Sequence, residues 1–247
     1  MLLRTVSAVL ICLITLYAKT TENAFLAQYA IDRISEPTSG ETNERSRSVA
    51  VSSNGNFVVL EPYASNLVSG DTNGLQDVFI YSISGDTFER VSVDSSEVQA
   101  NSSSYAPSVS ADGRYVVFHS LASNLVASDT NGYNDIFLRD RTAGTTVRLS
   151  VSSSGTQANH MSAFATISDD GDIVAFVSRA ANLVASDTNG DDDIFVREVS
   201  TNTTVRVSKD SSGTQANDYS SDARVSADGN FVVFSSKATN LVSGDSN

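Results

Sequence analysis

Short runs of apolar residues return along this chain at a fixed interval, each introduced by the same kind of turn. The nearly continuous apolar run Arg114-Tyr115-Val116-Val117-Phe118 has counterparts at Phe57 to Leu60, Ile173 to Phe176 and Phe231 to Phe234. Ahead of them stand Asn54-Gly55, Asp112-Gly113, Asp170-Gly171 and Asp228-Gly229, and the glycine spacings 113 − 55, 171 − 113 and 229 − 171 all give 58. Asn66-Leu67, Asn124-Leu125, Asn182-Leu183 and Asn240-Leu241 keep the same step, as do Asp71, Asp129, Asp187 and Asp245. Arg33, Arg90, Arg148 and Arg206 keep it too, with one residue deleted in the first interval. Several landmarks held in phase mark an internal repeat.

Within one repeat, alternation, β-branched residues and turn punctuation predict four short strands. In the second repeat these are Ala106 to Ser110, Arg114 to Phe118 after an Asp-Gly hairpin, Asp135 to Arg139 after a longer loop, and Thr146 to Ser150 after a turn at Thr142-Ala143-Gly144. Their apolar runs suit strands covered on both faces. A lone four-stranded sheet cannot bury two faces, so successive sheets must pack on one another, and radial packing of such units is the β-propeller. The fold class predicted is therefore all-β, a propeller of four-stranded antiparallel blades at about 46–93, 104–151 and 162–209, with a partial blade at 220–247. A closed ring takes about four to eight blades. The expectation is a piece of a longer chain, the alternative being closure by another copy, with an apolar blade face left open. Ile31-Asp32-Arg33-Ile34-Ser35, within the segment 21–45, matches the fourth strands and reads as a closing outer strand.

Residues 1–20 differ in kind. Arg4 leads into the apolar run Val6 to Ala18, which polar Lys19-Thr20-Thr21 follow. This reads as a secretory signal peptide, since a spanning helix needs about 20 apolar residues. Cys12, the one cysteine, lies inside it, so the mature chain has no thiol for a disulfide, a metal site or a nucleophile. A secreted or periplasmic location follows, with no stable membrane span after cleavage. The net charge of −13 excludes a nucleic-acid partner, whose phosphates would be repelled.

Ser110-Ala111-Asp112-Gly113-Arg114-Tyr115-Val116-Val117-Phe118, followed by Asp135-Ile136-Phe137-Leu138-Arg139-Asp140, resembles the WD-like propeller repeat of the TolB type. Ser168-Asp169-Asp170-Gly171 with Asp193-Ile194-Phe195-Val196-Arg197, and Ser226-Ala227-Asp228-Gly229, repeat the match. The resemblance implies periplasmic or extracellular binding modules, or propellers beside the catalytic domains of serine peptidases. The loop between second and third strands departs from that family in its length and in its Asp-Thr-Asn-Gly.

That loop carries the candidate metal ligands Asp71, Asn73 and Asp77, then Asp129, Asn131 and Asp135, then Asp187, Asn189 and Asp193, with Asp245 and Asn247 beginning a fourth set. Alternate oxygen side chains before a Gly bend suit Ca²⁺, which takes six to eight hard ligands. The pattern partly resembles the calcium loops of integrin-type propellers, although Ser69, Ala127, Ala185 and Ser243 stand where a further acidic residue would be expected. Two plainer readings stay open: an Asx-turn closed by the first Asp, and pairing of Asp77, Asp135 and Asp193 with fourth-strand arginines such as Arg148.

In an up-and-down blade the second-to-third-strand loops share one face with the blade-to-blade linkers. The linkers carry Val98-Gln99-Ala100-Asn101, Thr156-Gln157-Ala158-Asn159 and Thr214-Gln215-Ala216-Asn217. A ligand is expected on that face, while Gln and Asn also have a local role in satisfying backbone groups. His119 and His160 are the two histidines and lie in no zinc or triad spacing, although His160 stands on the elaborated face. The Asn101 and Asn202 sequons matter only in a glycosylating host. The expectation is a non-enzymatic module that binds protein or carbohydrate, with calcium as the candidate ion. The alternatives are the non-catalytic propeller of a larger secreted hydrolase, and an adhesive spacer array.

Overall fold

The computed structural model describes residues 49–245, none of them helical. The leader at 1–20, the segment 21–45 with its outer strand, and Asn247 lie outside the described residues. Fourteen strands run in order. Blade one contains β1 (Val49–Val51), β2 (Phe57–Leu60), β3 (Phe79–Ser82) and β4 (Thr87–Arg90). Blade two contains β5 (Ser104–Val109), β6 (Tyr115–Ser120), β7 (Asp135–Asp140) and β8 (Thr145–Arg148). Blade three contains β9 (Ser162–Ile167), β10 (Ile173–Ser178), β11 (Asp193–Glu198) and β12 (Thr203–Arg206). The fourth sheet pairs β13 (Ser220–Val225) with β14 (Val232–Ser236). Each complete blade is an antiparallel meander in chain order. The first strand of blade two begins two residues earlier than predicted and its second extends to Ser120, because Ser104 and Ser120 pair in the ladder and join their hydroxyls at 3.0 Å. Ser162 with Ser178 and Ser220 with Ser236 repeat that link.

The first strands of successive blades touch one another, β1 with β5, β5 with β9 and β9 with β13, so they line the axis. Second strands are buried on both sides. In β6 only Tyr115 is partly exposed, and Val116, Val117 and Phe118 are fully buried. Val117 packs with Ile167, Val174 and Phe176 of blade three, while Val116 and Phe118 pack with Val59 and Ile80 of blade one. One strand thus feeds two inter-blade cores by alternation.

The hairpin joining first and second strands is built the same way each time. Ser110 Oγ donates to Asp112 Oδ1 at 2.7 Å, the Arg114 amide donates to the same oxygen, and the Tyr115 amide donates to Ser110 Oγ. Gly113 closes the turn at φ +73°, and a Cβ there would lie 2.3 Å from the Phe57 ring of blade one. Gly171 stands in the same relation to Tyr115, and Gly229 to Ile173. The residue opening each second strand therefore rests on the hairpin glycine of the next blade.

At the far end this pattern has no partner among the described residues. Phe231, the counterpart of Phe57, Tyr115 and Ile173, is 70% exposed, and Val233 is 66% exposed although Val59, Val117 and Ala175 at its position are fully buried. This is the open apolar face expected of an incomplete propeller.

Gly113→Ala tests the glycine contact against Gly155→Ala, whose φ is +85° and whose Cβ would meet nothing within 4 Å. Both variants carry the backbone strain of a positive φ, roughly 1 kcal/mol. Gly113→Ala is expected to cost about 1–3 kcal/mol more by overpacking, read as the difference in urea midpoints.

Candidate functional site

At each of the three junctions the Asp-Thr-Asn-Gly loop meets the Gln-Ala-Asn linker in one repeated constellation. At the second, Gln157 Nε2 donates to Asp129 Oδ1 at 2.8 Å and to Asp135 Oδ2 at 3.0 Å. Asn131 Nδ2 donates to Asp135 Oδ2 at 3.0 Å and to the Ala158 carbonyl at 2.9 Å, and its Oδ1 accepts from the Tyr133 amide. Ser150, two residues after Arg148, donates its hydroxyl to Asp135 Oδ1 and accepts from the Ile136 amide. Gln99 ties Asp71 to Asp77, with Asn73 and Ser92 completing that set. Gln215 ties Asp187 to Asp193, with Asn189 and Ser208.

Fourth-strand arginines approach the same carboxylates. Arg148 lies opposite Phe137 in the ladder, two residues from Asp135, and its Nη1 is 3.5 Å from Asp129 Oδ1 and 3.7 Å from Asp135 Oδ2. Arg206 stands at 3.3 Å from Asp187 and 3.7 Å from Asp193, and Arg90 at 4.0 Å from Asp71. Burial pushes the Asp77 and Asp135 carboxyls up from their usual value, against the pull of the serine, the glutamine and the arginine. Burial raises Asp187 as well.

The linker grips the following blade with its third residue. The Asn159 amide donates to Asn182 Oδ1, Asn159 Oδ1 accepts from the Ala181 amide, and Asn182 Nδ2 donates to the Gln157 carbonyl. Asn101 with Asn124, and Asn217 with Asn240, do the same. Between the two amide side chains, Ala100, Ala158 and Ala216 are each 1% exposed and fill the core. Gln-Ala-Asn is therefore a staple: Gln to the preceding blade, Ala inward, Asn to the next.

All nine sequence-predicted ligand positions fall in these constellations, three to a junction. Donors of the chain itself meet the carboxylates of each set. The carboxylate oxygens face amide N–H, hydroxyl and guanidinium groups, and Gln157 Oε1 is turned to Thr130. Among the described residues no group of three His, Cys, Asp or Glu side chains is placed to hold a metal. The serines Ser92, Ser150 and Ser208 escaped the sequence reading, although their fixed place two residues after the arginine was a readable signal.

On the same face the axis-lining first strands begin, and this end of the axis is the mouth of the blade array. The first strands of blades two, three and four, β5, β9 and β13, each carry a bulge whose non-glycine residue has positive φ: Ala106 at 47°, Phe164 at 56° and Asp222 at 55°. None of these positions is a glycine, the residue that would have announced a positive φ, and Pro107 is the one sequence hint of a bulge in β5. The preceding blade supplies the acceptor. The Ala106 amide donates to the Glu61 carboxylate, and the Phe164 amide to His119 Nδ1 at 3.4 Å. His119 is 6% exposed, with its ring centroid 5.5 Å from Tyr105 and 5.3 Å, edge-on, from Phe164. Burial lowers its pKa to about 4.

Just past the second strands, Tyr63, Leu121, Arg179 and Lys237 occupy one position in four successive blades. The amides of Leu121, Arg179 and Lys237 donate to the carbonyls of Ser103, Met161 and Tyr219, which fixes them beside the first strands. Phe164 is 55% exposed, Leu121 46%, Tyr63 39% and Tyr219 38%, and Lys237 Nζ lies 5.0 Å from the Tyr219 ring centroid. His160 stacks on Tyr133 at 4.5 Å and its Nδ1 accepts from the Met161 amide, an arrangement that holds the ring and leaves that nitrogen occupied.

No protein-family model matches the chain, and no curated protein matches it. Among solved structures, the putative TolB of Agrobacterium tumefaciens aligns over 86% of this chain and 60% of its own length, with a TM-score of 0.53 and 16% identity. The β-propeller domain of Myceliophteria thermophila Cps50 (Swd1) aligns over 77% and 49%, at 13% identity and TM-score 0.44. A prolyl endopeptidase structure aligns over 74% and 24%, at 11% identity and TM-score 0.43. The likeness to the first shows the fold, a β-propeller of the TolB type, and the chain spans 60% of that structure's length.

Two expectations follow from the site. Gln157→Ala strips a donor from both Asp129 and Asp135 and is expected to cost about 2–4 kcal/mol, the range for lost bonds to buried charged groups, read by chemical denaturation. His119, held near pKa 4 against an ordinary 6.5, stabilises the fold fully above pH 6.5 and loses that contribution as pH falls toward 4. The loss amounts to about 3 kcal/mol. His119→Val, the residue found at Val177, removes this dependence, and a pH series of melting curves reads the difference.

Proposed function

We propose that this chain is an exported, non-catalytic propeller module that binds a protein segment at its axial mouth, on the face of the elaborated loops. The observation that carries this reading is the contrast between junction and mouth. The Gln-Ala-Asn staple and its carboxylates repeat unchanged, whereas one ring of positions holds Tyr63, Leu121, Arg179 and Lys237, and another Ala106, Phe164 and Asp222. A repeat protein needs identical residues wherever blades join and is free to vary where it meets a partner.

The mouth joins exposed apolar side chains to two cations. Exposed aromatics beside polar groups mark interaction surfaces. The Arg179 Nε donates to the Gly190 carbonyl at 3.0 Å and its guanidinium lies 3.9 Å from Asp191, so it is oriented at the rim. A segment with an aromatic or aliphatic residue followed by a carboxylate matches this surface. Export rests on the Arg4-led apolar leader. The non-enzymatic reading is supported by the engagement of each histidine's Nδ1 with a backbone amide instead of a nucleophile.

Selection of a phage-displayed library of random peptides on the immobilised chain tests the reading. Enriched sequences are expected to pair an aromatic with an acidic residue and to lose binding about tenfold or more with Phe164→Ala or Lys237→Ala, as for truncated anchors at interface centres. Gln157→Ala, at a junction, should leave the binding of folded protein unchanged. No enrichment, or enrichment indifferent to the mouth variants, would defeat the proposal, and glycan-array binding lost in Phe164→Ala would assign the mouth to carbohydrate instead.

A further inference from the structure

We propose that Arg90, Arg148 and Arg206 are the resident cations of the three Asp-Thr-Asn-Gly loops, and that a loop takes up a divalent ion only when its arginine is removed. The inference is independent of what binds at the axial mouth. Two buried carboxylates next to each other at a blade junction need a positive charge to stand together. In the second junction Asp129 and Asp135 have side chains 5% and 0% exposed, and the one full positive charge beside them is Arg148, itself 11% exposed. Arg206 stands in the same relation to Asp187 and Asp193, with exposures of 9%, 5% and 0%.

The guanidinium acts there as a charge and not as a fork. Nε of Arg90, Arg148 and Arg206, and Nη1 of Arg148 and Arg206, make no hydrogen bond although they are buried. Arg148 and Arg206 hold Nη1 at 3.3–3.7 Å from both carboxylates of a pair, between them instead of bidentate on one. A bidentate arginine is specific to that side chain, whereas a central point charge is replaceable by another cation. The remaining oxygens are committed elsewhere. Asn131 Oδ1 serves the Tyr133 amide, the Ala158 carbonyl serves Asn131, and Gln157 Oε1 serves Thr130. With arginine present, calcium would have to displace a like charge and break these bonds to reach its six to eight oxygens.

Removal of the arginine reverses the balance. Arg148→Met keeps an unbranched stem but removes the charge between the two carboxylates, and the amide groups of Asn131 and Gln157, whose nitrogens now donate to Asp135, carry the further oxygens. That is an oxygen-rich, doubly charged site of the kind Ca²⁺ accepts.

The test titrates CaCl₂ into the full chain by calorimetry and records melting with CaCl₂ or with EDTA. Unsubstituted protein should give no saturable heat up to roughly 10 mM, above the range of extracellular calcium modules, and no chelator-dependent melting. Arg148→Met should bind one calcium saturably, melt higher with calcium than with EDTA, and lose both effects on adding Asp129→Ala. Arg148→Lys keeps a cation in place and should show neither effect. Saturable binding by unsubstituted protein that Asp129→Ala abolishes would overturn the proposal, as would a folded Arg148→Met that ignores calcium. Arg206→Met is the parallel variant in blade three. Recovery of circular dichroism on refolding in CaCl₂ but not in NaCl would count in favour should either variant fail to fold alone, and failure of both to fold under either condition would count against.

Discussion

A sheet with two apolar faces has to be covered twice, and in this molecule only another sheet of the same kind does so. β6 illustrates the constraint: its even positions enter the core shared with blade one and Val117 enters the core shared with blade three. No blade is a stable unit, so every other feature of the structure serves the alignment of neighbours. The hairpin glycines accept the side chain that opens the preceding blade's second strand, and the buried serine pairs hold first and second strands in register where the bulges disturb it. Apolar packing is tolerant of sliding, however, and area alone would not fix the angle between blades.

That angle is the task of the polar staple. Gln157 reaches back to two carboxylates and Asn159 reaches forward to Asn182, while Ala158 is drawn into the core between them. Each bond has a direction, so a blade cannot rotate against its neighbour without leaving a buried group unsatisfied. Desolvating two carboxylates is expensive, and the nearby arginine, the serine hydroxyl and two amide side chains offset it. The result is an orientation fixed without a disulfide, laid over inter-blade cores whose largest side chains are Phe118, Phe137, Phe176 and Phe195.

Much of this was legible in the sequence because repetition amplifies weak signals. Any one Asp-Gly or Arg-Val-Ser would have meant little, but their common step of 58 gave the blade, its four strands and the face shared by loops and linkers. The Asp-Thr-Asn-Gly loop was located correctly, yet the chemistry there depends on residues 13 to 28 positions away, which only the blade's meander and the linker's return bring together. Sequence spacing shows the acidic residues and hides the donors that answer them. The bulges at Ala106 and Phe164 were nearly illegible for another reason: a non-glycine residue at positive φ leaves no compositional trace of its own, and it is held there by an acceptor, Glu61 or His119, on a different blade.

The two kinds of position therefore carry different information. Where every blade must meet the next in the same geometry, the residues are the same three times over, and their identity speaks of architecture. Where the first and second strands end on this face, the residue opposite the bulge changes from the acceptors Glu61 and His119 to Val177, which accepts nothing, and the rim changes from Tyr63 and Leu121 to Arg179 and Lys237. Architecture does not demand an acceptor at this position, since Asp222 keeps a positive φ of 55° where the corresponding residue is Val177. A ring of non-equivalent side chains on an equivalent scaffold makes this face uneven, with Tyr63 and Leu121 on blades one and two, and Phe164, Arg179, Lys237 and the carboxylate of Asp222 on blades three and four. Under the proposed binding role, such unevenness would give an asymmetric ligand one preferred orientation, which identical blades could not supply.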